Sequence, residues 1–242
     1  LMYGAAPMSV EKLKKAIELW GPIMAGGYGQ TEAPASIANL PPSHHFINGQ
    51  LGTDERLSSV GRPNPLIRVE MMDDNNQILP RGETGEICVR GDLVMKGYYK
   101  QPEKPAETII DGWLHTGDVG NIDADGYLHI TDRKKDMIIS GGFNVYPSEV
   151  EQVIWGHPAV QDCAVIGVPD EKWGEAVKAV VELNAGQTVS AEEIIALCKE
   201  KLGSVMAPKT VDFIDTLPRS PVGKVLKKDL RKQYWEQSER KI

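Results

Sequence analysis

The sequence has no run of about 18 apolar residues, which excludes a membrane-crossing helix and with it stable membrane insertion. Cysteine is scarce. Cys88, Cys163 and Cys198 are odd in number and scattered, and they lack the paired spacing of a zinc site or a disulfide framework. No basic-then-apolar leader opens the chain, because Leu1 runs straight into an amphipathic pattern. These absences point to a reducing, cytoplasmic setting. Basic excess is missing too: 27 Lys and Arg against 34 Asp and Glu leave a net charge of −7, which argues against a nucleic-acid partner. The basic residues gather late, with ten Lys or Arg against five Asp or Glu from Lys201 onward. That segment is either a solvated helix face or a surface for an anionic ligand such as a nucleotide or coenzyme phosphate. Internal repeats and low-complexity tracts are absent as well.

What is present is an ordinary globular composition, 41% hydrophobic and 25% charged over 242 residues, enough for one or two domains. Such a chain buries roughly 70% of its unfolded surface without staples. Residues 9–20 read as a helix: Ser9 caps it, Val10, Leu13, Ile17 and Trp20 recur at helical spacing, and Gly21 stops it. Ile23-Met24-Ala25 then reads as a strand running into a glycine-rich turn, Gly26-Gly27-Tyr28-Gly29. From about 51 to 132 short alternating strands take over, at 67–71, 86–90 and 127–130, divided by turns at Asp73–Asn76 and Asp125-Gly126. Such a texture predicts a small antiparallel sheet or barrel. After the charged run 132–136, helices with capping boxes, Ser148 with Glu151 and Ser190 with Glu193, alternate with strand candidates at 164–168, 177–183 and 211–214. That is a compact α/β unit.

Several short motifs carry chemistry, each with a bland alternative. In Tyr28-Gly29-Gln30-Thr31-Glu32 the ring can stack on a base, Thr31 can donate to a phosphate oxygen and Glu32 can hold Mg²⁺; a polar loop after a strand reads equally. Asp118, after the Thr116-Gly117 turn, can accept two ribose hydroxyls or simply stabilise the turn. Asn121, Asp123, Asp125, Gly126 and Asp132 fit calcium-loop spacing, but the segment 127–131 alternates like a strand, so a hairpin turn explains them better. Gly141-Gly142 allows close backbone approach or a tight turn. Lys224 tips the stiff loop Pro218–Lys224, which is no phosphate-binding loop because Val225 follows the lysine and the upstream glycine is missing. His44-His45 has no partner at metal spacing, and no Ser/His/Asp nucleophile signature occurs.

The order and spacing of six motifs together resemble the adenylate-forming (AMP-binding) superfamily, which includes acyl-CoA synthetases. They are Gly4–Pro7, Tyr28–Glu32, Gly85–Gly91 through Gly97-Tyr98, Thr116–Asp118, Asp132-Arg133 through Gly142, and Pro218–Lys224. The resemblance implies a mixed α/β and β fold. In it, 1–132 is the C-terminal part of a large AMP-binding domain that holds a strand–helix unit and an antiparallel barrel-like subdomain. Residues 133–135 are a hinge, and 136–242 are a small mobile α/β domain. It implies a carboxylic acid substrate that attacks the α-phosphate of Mg·ATP, giving an acyl-adenylate, after which coenzyme A displaces AMP. Carried over, Ala5, Ala6 and Tyr28 border the adenine, Gly29 and Gln30 count among the cofactor-binding residues, Thr31 meets the α-phosphate and Glu32 the Mg²⁺. Asp118 and Arg133 hold the ribose, Ile130 lies under the nucleoside, and Lys224 is the adenylation lysine. A swivel at Lys135 exchanges the Lys224 loop for the Gly141-Gly142-Phe143 loop beside the pantetheine tunnel.

The family's upstream Ser/Thr/Gly-rich loop, which grips the pyrophosphate, has no counterpart here. The expectation is therefore a C-terminal portion that adenylates nothing alone and needs the N-terminal part of the same enzyme. Gly29 stands where acetate-type members carry a tryptophan, which leaves room for a fatty acid first and an aryl or arylpropenoic acid second. The rival expectation is a non-catalytic module that only binds nucleotide or a partner.

Overall fold

A computed structural model describes residues 1–100, 108–221 and 223–236. The chain divides into two compact units, Leu1–Lys134 and Lys135–Ile242.

In the first unit, β1 (Met2–Gly4) leads into α1 (Val10–Trp20), with the Ser9 hydroxyl accepting from the Lys12 amide and Gly21 closing the helix at φ 75°. Leu13 and Ile17 bury the inner face of α1 against Met24 and Leu57, the latter on α2 (Asp54–Ser58). β2 (Ala25–Gln30) pairs parallel with β1 and antiparallel with β3 (Ala33–Leu40). A small hairpin follows, β4 (Phe46–Ile47) and β5 (Gln50–Leu51), and β6 (Arg62–Pro63) then extends the first sheet to the order β1-β2-β3-β6.

The expected strand at 23–25 is displaced. Pairing begins at Ala25 and continues through the glycines, so Tyr28, Gly29 and Gln30 lie on the strand and the turn is Thr31-Glu32. Two ladders override weak glycine propensity, and Gly26 makes room for a neighbour: an added Cβ would lie 2.9 Å from the Tyr3 ring.

The second sheet is antiparallel, ordered β11-β10-β8-β7 with β9 beside β10. Its strands are β7 (Arg68–Met72), β8 (Gly85–Arg90), β9 (Ile109–Ile110), β10 (Trp113–Ile122) and β11 (Leu128–Arg133). Ile87, Val89, Leu114 and Leu128 from this sheet pack with Tyr28 and Ile37 of the first in one core. The β10–β11 turn is a hairpin organised by Asp123, which accepts from the Tyr127 amide at 2.8 Å and meets His129 Nε2 at 2.9 Å. Among the described residues no group of acidic, His or Cys side chains is arranged to hold a metal.

The second unit is built on β12 (Ile138–Ser140), β13 (Phe143–Val145), β14 (Val160–Asp170), β15 (Gly174–Leu183) and β16 (Thr210–Phe213), ordered β13-β12-β15-β14, with β16 parallel to β15. Three helices flank them: α3 (Pro147–Trp155), α4 (Ala191–Met206) and α5 (Lys227–Trp235). β14 is an almost continuous apolar run because both its faces are covered. Cys163 and Val165 pack with Val150, Ile154 and Ile194 of α3 and α4, while Ala164, Ile166 and Val168 pack with Leu230 of α5.

Ser190 caps α4 as expected, accepting from the Glu193 amide at 3.1 Å. Ser148 does not cap α3. Pro147 opens that helix with Tyr146 at the N-cap, since proline is preorganised for the first helical position. Glu151 turns inward instead, accepting from the Val165 amide at 2.7 Å and pairing with Lys227 at 2.8 Å.

Candidate active site

β1 and β2 run parallel, so their C-terminal ends emerge side by side, with Gly4 opposite Gly27. An added Cβ on Gly4 would lie 2.6 Å from the Gly27 carbonyl oxygen, so only glycine fits. Ala5, held at φ 63°, and Ala6 are exposed just beyond this end, and Tyr28 follows on β2. Free amides and room for a ligand are found where parallel strands end.

Asp118 comes to the same place from the second sheet. The β8–β10 register shifts between His115 and Val119, and Gly117 adopts φ 70°, so a bulge re-aims the next side chain. The Asp118 carboxylate is buried, 4% exposed, and three partners converge on it. Tyr28 donates its hydroxyl to Oδ2 at 2.6 Å and Gln30 donates Nε2 to the same oxygen at 2.8 Å. Arg133, ending β11, reaches Oδ1 at 2.6 Å. Gln30 also bridges to the Thr116 carbonyl at 2.8 Å, and the Thr116 hydroxyl accepts from the Asp118 amide at 3.1 Å. Burial, reinforced by the Asp118 charge, pushes the Tyr28 phenol far above its ordinary pKa, so it stays a donor. Oδ1 has Arg133 as its partner, and its second lone pair can take a ribose hydroxyl. Ile130, half-buried on β11, faces Gly120 in the neighbouring strand's register.

Thr31 is exposed in the β2–β3 turn, and Glu32 beside it accepts from the Tyr98 hydroxyl at 2.6 Å. That leaves Glu32 a single, half-buried carboxylate with one oxygen engaged. A lone carboxylate fits Mg²⁺, which keeps its waters and takes further oxygens from substrate phosphates. Glu86 accepts from the Gly117 amide at 3.0 Å and so props the Asp118 bulge. Sequence reading missed Tyr98 and Glu86 as site supports, although both stood inside quoted motifs. The cysteines offer no nucleophile: all three are unpaired and buried, and burial pushes Cys88 up to about 12 and Cys198 to about 11.

The remaining candidates belong to the second unit. Lys135 lies in a short 3₁₀ turn, Lys134–Asp136, and its carbonyl accepts from Arg231 at 3.4 Å. Gly141 and Gly142, at φ 59° and 85°, form the two-residue turn between β12 and β13. That turn demands glycine twice over, since an added Cβ on Gly141 would meet the Trp173 ring at 2.4 Å. Phe143 beside it is 59% exposed. Lys224 sits on a tight hairpin: the Ser220 amide donates to the Lys224 carbonyl at 2.8 Å, the Gly223 amide to the Ser220 carbonyl at 2.8 Å, and Arg219 bridges to Val225. The Lys224 side chain is exposed. Val222, part of the same motif, lies outside the described residues.

Residues 1–99 match the family described as AMP-binding enzyme, and 149–224 match the AMP-binding enzyme C-terminal domain. The chain belongs to the adenylate-forming, AMP-binding enzymes. It is 46% identical to the medium/long-chain-fatty-acid–CoA ligase FadD8 of Mycobacterium tuberculosis, an alignment covering 99% of this chain and 42% of that protein. Among solved structures it resembles the amide bond synthetase McbA of Marinactinospora thermotolerans, with TM-score 0.89 and 42% identity over 96% of this chain and 46% of the other. ATP-bound MatB of Rhodopseudomonas palustris gives TM-score 0.86 and 36% identity, covering 96% and 45%. The chain thus spans a little under half the length of these AMP-binding relatives. Among its described residues no helix is long and apolar enough to cross a membrane.

Proposed function

We propose that the chain is the C-terminal part of an ATP-dependent acyl-CoA ligase, which joins a carboxylic acid to coenzyme A through an acyl-adenylate and releases AMP and pyrophosphate. The observation that carries this reading is the convergence of Tyr28, Gln30 and Arg133 on the buried Asp118 carboxylate at the mouth of parallel strands. Such an acceptor, fixed before the ligand arrives, suits a ribose and costs no reorganisation on binding. Family membership and the fatty-acid ligase relative support the same class, and a fatty acid is our first choice of acid, with an aryl or arylpropenoic acid second because of the small Gly29. Unpaired, buried cysteines support a cytoplasmic setting.

In this scheme Ala5, Ala6 and Ile130 border the nucleoside and Thr31 donates to the α-phosphate. Mg²⁺ on Glu32 would offset phosphate charge. Lys224 supplies the ammonium that offsets charge where carboxylate oxygen meets phosphorus, a task that suits a compact point charge on a long stem. The thioester step has no such need, so the second unit swivels about Lys135 and presents Gly141-Gly142-Phe143 to the pantetheine arm. The 242-residue chain alone is expected to catalyse no ATP–pyrophosphate exchange.

The test is Lys224→Ala in the full-length enzyme that carries this chain. Acyl-adenylate formation should fall far more than thioester formation from supplied adenylate, and equal losses would refute the assignment.

A further inference from the structure

Asp162 and Glu182 are register partners across β14 and β15, two carboxylates directly opposite one another. Like charges so placed destabilise a sheet unless something lies between them. Here that is Arg219. Its Nη2 pairs with Asp162 Oδ2 and stands 3.7 Å from Glu182 Oε2, while its Nη1 donates to the Gly223 carbonyl at 3.2 Å. Both carboxylates are themselves fixed. Asp162 Oδ1 accepts from Trp155 Nε1 and from the Cys163 amide, each at 2.8 Å, and Glu182 Oε2 accepts from the Leu217 amide at 3.0 Å. One planar guanidinium therefore spans from a rigid acidic seat on the sheet to the carbonyl of the peptide bond that leads into Lys224.

We propose that Arg219 is a positioning residue for Lys224: through the Gly223 carbonyl it sets the direction in which the Lys224 stem leaves the hairpin. The inference rests on the adenylation role proposed for Lys224. Ser220 serves the same end from the other side, its hydroxyl accepting from the Lys224 amide at 3.1 Å. Among the described residues, other hydrogen bonds of the hairpin join its own backbone groups and fix its shape, and the Leu217 amide on Glu182 ties only its base to the sheet. Orientation matters because a catalytic group displaced by about 1 Å loses on the order of 100-fold in rate. Lysine at 219 could neutralise the two acids, but its ammonium lacks the fork that also holds the Gly223 carbonyl.

The experiment compares Arg219→Lys with Lys224→Ala in the full-length enzyme, measuring each half-reaction and the melting temperature. We expect R219K to lower kcat for adenylate formation by on the order of 100-fold, with KM for ATP, thioester formation from supplied adenylate and melting temperature unchanged. Adenylation by R219K within about twofold of the parent, beside a slow K224A, overturns the positioning role alone. Equal losses in both half-reactions, with a lowered melting temperature, also overturn it, because Arg219 would then only anchor the loop. If K224A and R219K both adenylate normally, the role of Lys224 falls and this inference falls with it.

Discussion

Tyr28→Phe tests the network around Asp118 without disturbing its packing. Tyr28 and Asp118 are 9% and 4% exposed, and their 2.6 Å bond closes a loop of 90 residues. A hydrogen bond to an ionised acceptor contributes roughly 1.5–3 kcal/mol. Asp118 Oδ2 keeps Gln30 in the variant, so the expected cost is about 2 kcal/mol. Asp118→Ala is more severe because it removes the charged acceptor shared by Tyr28 and Gln30 at once, although Gln30 keeps the Thr116 carbonyl and Tyr28 the Thr116 side chain. Arg133 adds little, its side chain being 44% exposed. In the D118A background the Tyr28 hydroxyl has lost its charged acceptor but keeps the Thr116 side chain beside it, so removing it should be close to neutral. The double-mutant cycle therefore predicts a coupling of about 2 kcal/mol.

Two units can unfold separately, so a global signal would blur this result. Hydrogen exchange of the β10 amides, Trp113–Ile122, reads the first unit alone. Tyr28→Phe should accelerate it about 30-fold in the parent and hardly at all in D118A. Equal acceleration in both backgrounds would show that the hydroxyl and carboxylate do not interact, and the reasoning about the site would go with it.

Three further outcomes are expected. Proline at Lys135 should impair alternation between the half-reactions of the full-length enzyme, and normal rates in both would count against a hinge there. Glu151→Gln keeps an acceptor for the Val165 amide but removes the charge opposite the Lys227 ammonium; a loss of about 2 kcal/mol should appear as reduced exchange protection in α5, and unchanged protection would contradict a contribution from this ion pair. For Asp212, burial works to raise the pKa, but the Lys178 and Tyr234 hydrogen bonds outweigh it and hold the carboxyl below its usual value of 3.8. A folded pKa below the unfolded one contributes stability above the unfolded value and loses it as pH falls through the folded value. The second unit should therefore lose this contribution below about pH 4, and Asp212→Asn should flatten that limb; parallel acid-unfolding curves for the two proteins would refute it.

Elements whose pattern is set by one buried face were legible in the sequence. On β7 and β8, Val69, Met71, Ile87 and Val89 alternate into the core with Tyr28 and Leu114, while Met72 and Cys88 are buried on the other face with Trp113; α1 shows its Leu13–Ile17 stripe between a serine cap and a glycine stop. Elements set by a partner strand were not. Nothing local makes Gly26-Gly27-Tyr28-Gly29 extended; the register with Met2–Gly4 and Ala33–Leu40 does. α3 misled for a related reason. Ser148 and Glu151 have capping-box spacing, yet a proline at the first helical position fixes the start, and Glu151 is drawn inward by a strand amide and a lysine far along the chain.

The site divides along the same line. The residues proposed to meet the nucleotide and the reacting phosphorus, Tyr28, Glu32, Asp118, Arg133 and Lys224, could be named because they stand in motifs that resemble those of the family. Their supports could not, since a support is defined by what it touches. Glu86 acts on Asp118 through the amide of Gly117, which only the bulge in β10 exposes to it. Arg219 acts on Lys224 through a carbonyl and is itself held by two acids that meet only once β14 and β15 are paired. A sequence names the groups that do chemistry, whereas the groups that aim them emerge only from strand register. An acidic cross-strand pair with a basic residue between them is therefore a better pointer to such a support than any motif.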